Sequence, residues 1–326
     1  MFKNGYQFAL ILTFILKFAP IFSNNFAYVA NFIDNTVSVL ETDSSTVITT
    51  IPVGKGPMGV AITPNGAFAY ITNYISNTVN VIATGSNMIT GIIPVGVFPC
   101  GVTISPNGAI VYVANRIDGT VSVIETGSNS VTATIPVGIS PEGIAITPDG
   151  AFAYVANSHD GTVSVIETGS NSVTTTIPVG YSPFGVAISP DGAFAYVANS
   201  HDGTVSVIET GSNSVTTTIP VGYSPFGVAI SPDGAFAYVA NSHDATVSVI
   251  ATDSNSVTTT IPVGYSPFGV AISPDGAFAY VANSHDATVS VIETGSNSVT
   301  TTIPVGKVPR GIAIASFNDP EFCYLE

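Results

Sequence analysis

Positive charge is what this sequence has least of. Only 8% of its 326 residues are charged, and six Lys and Arg face 21 Asp and Glu, for a formal net charge of -15. Beyond Lys17 the cations are Lys55, Arg116, Lys307 and Arg310. So few cannot neutralise a phosphate track, and nucleic acid is not among the expected partners. Tryptophan is absent, and cysteine is limited to Cys100 and Cys323, which excludes a disulfide framework. HExxH, CxxC and GxSxG are all missing, as are glycosylation sequons. The N-terminal apolar run FALILTFIL, residues 8–16, is too short for a comfortable bilayer span.

That run follows Lys3 and gives way to Lys17, Pro20 and Ser23. A cationic start, an apolar centre and a break are the layout of a secretory signal peptide. Lys17 interrupts the run and no A-x-A site follows, so an uncleaved amphipathic anchor is the alternative. Residues 1–23 are expected to be one or the other. The rest is then secreted, periplasmic or at the cell surface, touching a membrane only through that segment if it is uncleaved.

What the chain has in abundance is repetition. The tyrosine of AYVAN or its variants falls at Tyr28, Tyr70, Tyr112, Tyr154, Tyr196, Tyr238 and Tyr280, always 42 residues apart, and a proline keeps step from Pro52 to Pro304. Within one unit, GVAIS, AFAYVAN, TVSVIET and VTTTIPVG are separated by PDG, SHDG and GSNS. Val, Ile, Thr and Tyr fill the runs and Gly, Asn, Asp and Pro punctuate them, so each unit reads as four short strands with no room for a helix. Four strands per 42 residues predict an all-β, seven-bladed β-propeller with antiparallel blades, spanning residues 26–315. Proline cannot donate to a ladder, so VTTTIPVG is the outer edge strand and GVAIS the innermost. The chain starts on a second strand, 26–31, and ends on an innermost one, GIAIA at 311–315. The two ends therefore share the seventh blade and close the ring, leaving 316–326 as a tail.

YVAN, ITN at Ile71–Asn73, P-x-G-V-A-I-S-P-D-G and T-V-S-V-I together resemble the YVTN family of β-propeller repeats over residues 26–315. The resemblance implies a secreted or surface-layer-type seven-bladed propeller, bacterial or archaeal. Its relatives include cell-surface proteins and lactonase-like enzymes, so it specifies a fold more sharply than a function.

Several motifs suggest chemistry that their setting denies. Ser158-His159-Asp160 recurs at 200–202, 242–244 and 284–286. Neighbours in one tight turn cannot line up as nucleophile, base and orienting acid, and one histidine per blade cannot converge on a metal. Gly54-Lys55-Gly56-Pro57-Met58-Gly59 matches GxGxxG but leads into a strand, not into the helix that would receive a pyrophosphate. Asp149, Asp191, Asp233 and Asp275 recur singly in hairpin turns, without the ligand spacing of a calcium loop. No cofactor or metal is implied.

Attention moves to the residue between Pro and Gly at the entry to each innermost strand, where the repeat breaks. Around the ring it reads Met58, Cys100, Glu142, Phe184, Phe226, Phe268 and Arg310. With Lys55 and Lys307 in neighbouring loops, this is the expected ligand-binding channel mouth: cations for an anion, phenyl rings for apolar area. Cys100, with no histidine in its loop, reads as a small apolar filler. The alternative is that the Phe trio plugs the channel while sequences near ring closure diverged. The expected function is a binding or structural module for an unknown protein, glycan or small anionic ligand. Alternatives are a lactonase-like hydrolase using Glu142 and Arg310, which a wide ring would hold on opposite sides, and an envelope-layer component. No catalytic residue is assigned at this point. Truncation after Gly306 is expected to abolish cooperative unfolding, checked by a calorimetric melt; an unchanged transition would refute the closure.

Overall fold

The computed structural model describes residues 25–316. The expected leader or anchor at 1–23 lies outside the described residues, as does nearly all of the tail, Cys323 included. Seven four-stranded antiparallel sheets follow one another along the chain. In a representative blade, Pro183–Ile188, Phe194–Asn199, Thr204–Glu209 and Ser214–Pro220 pair in that order. The last strand, Pro309–Ser316, pairs with the first, Asn25–Asn31, and completes a sheet with Thr36–Glu41 and Thr46–Pro52. The architecture is the seven-bladed propeller that the repeat phase predicts, ring closure included. One detail differs: the innermost strand begins at the proline, so the variable residue lies within the strand and not in the loop before it.

The strand sequences explain the layering. The two middle strands are buried on both faces because each sheet packs against the next. One interblade core gathers Tyr154, Val163, Val165 and Ile177 from one sheet with Ala195, Val197 and Ile208 from its neighbour. Tyr154 also donates its hydroxyl to Asn213 Oδ1 of the next blade at 2.8 Å, and Tyr28 does the same to Asn87 at 2.8 Å. A buried phenol needs such a partner, which is why Tyr rather than Phe stands in YVAN. The Asn that ends the motif is fully buried and reaches the following strand: Asn199 Nδ2 donates to Thr204 Oγ1 at 3.0 Å and Ser206 Oγ at 2.9 Å. All seven copies make the equivalent pair of bonds.

The innermost strands meet around the axis through a contact only glycine allows. A Cβ on Gly185 would collide with the carbonyl oxygen of Phe226, and one on Gly227 with that of Phe268. The same relation links Gly59 to Cys100, Gly101 to Glu142, Gly143 to Phe184 and Gly269 to Arg310. Gly311 then meets Met58 and closes the circuit. Gly185→Ala is therefore expected to cost about 1–3 kcal/mol by overpacking. Gly169→Ala, in a turn where a Cβ meets nothing within 4 Å, should stay within about 0.5 kcal/mol of wild type. Urea titrations of the two variants check the contrast.

Candidate functional site

In every blade the register between the innermost strand and its neighbour shifts by one residue just after the proline: Pro183 faces Asn199, yet Val186 faces Val197. The extra residue makes a β-bulge, and a bulge re-aims a side chain. The residue between Pro and Gly is thereby turned toward the axis. The rings of Phe184 and Phe226 lie 4.8 Å apart centroid to centroid, as do those of Phe226 and Phe268. Phe184 and Phe268 belong to blades two apart in the ring, and still their centroids are 5.2 Å apart. The mouth is thus about one side chain wide, and the phenyl trio fills its share of it.

Charge occupies the rest. Glu142 is almost wholly buried, with a side chain 4% exposed, and Arg116 Nε stands 2.7 Å from its Oε1. The Arg116 guanidinium also donates from Nη1 to the Tyr74 hydroxyl at 3.0 Å. Glu142 Oε2 is buried without a hydrogen-bond partner, and so is Arg310 Nε. Arg310 lays its guanidinium 4.4 Å from the Phe268 ring centroid and 5.9 Å from that of Phe32. Among the described residues Arg310 forms no ion pair. It is a partly buried cation whose strongest neighbours are aromatic faces.

Burial raises the Glu142 pKa above its ordinary 4.5, against the opposing pull of Arg116, Cys100 and Arg310. Arg310 is shifted down, first by burial, with the Glu142 charge working the other way. Arg116 is shifted up: burial disfavours its charge, but the Tyr74 hydroxyl and Glu142 outweigh that. The Cys100 thiol is buried, is pushed well up by burial and then by the Glu142 charge, and contacts the Phe98 carbonyl at 3.4 Å.

One sequence expectation is corrected: Glu142 and Arg310 are not held apart by a wide ring, since each feels the other's charge across a narrow mouth. Cys100 is buried at the axis, and burial first and the Glu142 charge next keep its thiol neutral. Lys55 and Lys307 stand exposed on the rim, without ion pairs among the described residues. Met58 is half-buried beside Arg310 in the circuit of innermost strands.

Arg116, Tyr74, Phe32 and Phe98 are functional candidates that sequence reasoning missed. Phe32, Tyr74 and Arg116 stand in one phase of the repeat, just after AYVAN, where the other four blades carry Ser158, Ser200, Ser242 and Ser284. Phe98 stands before the proline, where four blades carry Ser. That departure from serine was the available signal, hidden because the serine copies read as plain turn. In the fold, Phe98 stacks on Tyr74 at 4.4 Å, and Tyr74 meets Phe32 at 6.1 Å.

The SHD turns take a structural role. Asp202 Oδ2 accepts from the Tyr181 amide at 2.8 Å, and Asp160 Oδ2 accepts from that of Ile139 at 2.6 Å. Histidines 201, 243 and 285 point outward, 77–80% exposed. Among the described residues no group of three or more His, Cys, Asp and Glu is disposed to hold a metal ion.

The family described as "Lactonase, 7-bladed beta-propeller" matches the chain over residues 16–134, 45–177 and 171–312. No curated protein matches. Among solved structures, the chain is similar to Kuenenia stuttgartiensis hydrazine synthase, with 25% identity and a TM-score of 0.77 over 82% of this chain and 92% of that one. A functionally unknown protein from Desulfotomaculum acetoxidans aligns at 21% identity and a TM-score of 0.80, covering 89% and 99%. A dihydro-heme d1 dehydrogenase in complex with DHE aligns at 16% identity and 0.66, covering 88% and 74%. The last two show likeness of fold alone. The matched stretches together run from residue 16 to residue 312, and the chain belongs to the family of seven-bladed lactonase β-propellers.

Proposed function

We propose that the axial mouth hydrolyses a lactone or related cyclic ester, with Glu142 as general base and Arg310 as the group facing the carbonyl oxygen. The observation that carries this reading is Glu142 itself: a buried carboxylate with one oxygen held by Arg116 and the other unpartnered, across the mouth from an unpaired guanidinium. A raised pKa at such a position is the property a base needs. In the reaction, Glu142 Oε2 takes a proton from water as its oxygen bonds to the carbonyl carbon. The negative charge that grows on the carbonyl oxygen faces Arg310. Collapse breaks the ring C–O bond, and Glu142 returns its proton to the departing alkoxide, leaving a hydroxy acid. Arg116, 40% exposed on its side chain, covers Glu142 and would be displaced as substrate arrives. The leader-like residues 1–23 support an extracytoplasmic setting.

A second reading, a binding module that retains a small anion unchanged, draws on the Arg310 guanidinium, which has a buried Nε without a partner. Hydrolysis of a lactone panel separates the two. Glu142→Gln should lower kcat/KM by about 10²–10⁴-fold, and Arg310→Met by about 10²–10³-fold. A panel that stays flat for the wild-type protein would sink the hydrolase reading. The rate of the wild type should rise with pH through an apparent pKa above 4.5, because the base acts only when ionised.

Stability carries the opposite sign. A carboxyl whose pKa is raised by folding binds more protons folded than unfolded, so its stabilising contribution is complete below its unfolded pKa and fades as pH rises through the folded one. Between those limits the wild type should lose melting temperature relative to Glu142→Gln as pH increases. Thermal melts across pH 4 to 8 check this, and parallel curves would contradict it.

A further inference from the structure

We propose that Phe32, Tyr74 and Phe98 form a subsite for a flat aromatic arm, so that the substrates of this mouth are aromatic lactones and the product is an aromatic hydroxy acid. The inference rests on the hydrolase reading above and names its substrate class. Three observations carry it.

The first is that these rings are not demanded by the fold. Four blades of the same sequence build the same turns with Ser158, Ser200, Ser242 and Ser284 in place of Phe32 and Tyr74, and with Ser140, Ser182, Ser224 and Ser266 in place of Phe98. The second is that Phe98 stands in a turn position that is left-handed in every blade, at φ 57° here, 65° at Gly56 and 52–55° at Ser140, Ser182, Ser224, Ser266 and Val308; the Gly or Ser of five other blades suits that backbone better than a bulky phenyl ring does. The third is the arrangement. Tyr74 and Phe98 are stacked at an interplanar angle of 20°, Phe32 is tilted by 56° to Tyr74, and all three are half-buried. Charge stands at both ends of this wall: Arg310 lies over Phe32, and Arg116 holds Tyr74 and Glu142.

A flat ring lying on this wall puts its ester carbonyl within the field of Arg310 and offers that carbonyl to a water activated by Glu142. Aromatic faces favour stacked or edge contacts with another ring over contact with a saturated arm. After hydrolysis the carboxylate faces Arg310, whose Nε is buried without a partner. The aromatic acid should thus bind as well as form.

The test compares dihydrocoumarin with γ-butyrolactone as substrates, and 3-(2-hydroxyphenyl)propanoate with 4-hydroxybutanoate as calorimetric ligands. The proteins are the wild type, Phe98→Ser, and the triple variant Phe32→Ser, Tyr74→Ser, Phe98→Ser. Serine is what the other blades carry, and circular dichroism melts verify folding; Phe98→Ser alone serves if the triple variant does not fold. The wild type should prefer the aromatic lactone and bind the aromatic acid more tightly. Phe98→Ser should lower that preference several-fold, and the triple variant about 10-fold or more. Equal treatment of aromatic and aliphatic compounds by the wild type overturns the inference while leaving the hydrolase reading intact, and so does a preference that survives in the variants. Conversely, aromatic acid binding that the variants lose, in a protein that hydrolyses nothing, keeps the subsite and removes the catalytic reading.

Discussion

Everything at the centre of this protein follows from the absence of seven Cβ atoms. Each innermost strand presses a glycine against the carbonyl oxygen of the residue before the next blade's glycine, from Gly59 against Cys100 round to Gly311 against Met58. No other residue could stand there, because a Cβ would occupy the oxygen's place. Beside that contact the innermost strand bulges: from Pro183 it advances three residues to Val186 while its partner advances two, from Asn199 to Val197. The bulge turns the intervening side chain inward. Contact and bulge together make the narrow axis and the ring of side chains that fills it.

Narrowness then decides the electrostatics. In a wide channel Glu142 and Arg310 would be solvated and independent. Where Phe184 and Phe268 meet at 5.2 Å across the ring, they are dehydrated and coupled. Phenylalanine fills the equivalent position in three blades at no cost in charge burial, so a carboxylate and a guanidinium there are an expensive choice. Arg116 offsets part of that cost for Glu142 and pins one of its oxygens. The other oxygen stays unpartnered. A group stabilised on one side only is suited to handling a proton in a way that a fully bonded one is not.

The propeller was legible because its signals agree at every level: a strict 42-residue period, strand composition, turn residues and an edge proline all point to one architecture. Even ring closure could be read, from the phase of the first and last repeat strands. Position around the axis was legible too, which singled out Met58 to Arg310. Depth was not. Spacing in sequence says which blade a residue belongs to, but the radius of the ring depends on glycine–carbonyl contacts that only coordinates display. The turn positions after AYVAN were read as punctuation because four copies carry Ser there. That hid Phe32, Tyr74 and Arg116, although their departure from serine is as plain as that of Glu142 from phenylalanine.

The distribution of difference among the blades carries the last step. Catalysis needs unlike groups in unlike roles, and blades that are near copies cannot supply them. Divergence runs from the closing sheet into the blades that follow it: Phe32 follows the first described strand, and Arg310 lies on the last, which pairs with it. Arg310 rests over Phe32 only because Pro309–Ser316 has docked against Asn25–Asn31. The cation that faces the mouth and the ring beneath it, 278 residues apart in sequence, come together only when the propeller closes. In this protein, closure completes the site as well as the fold, so the strands that seal the ring cannot be weakened without also disassembling the mouth.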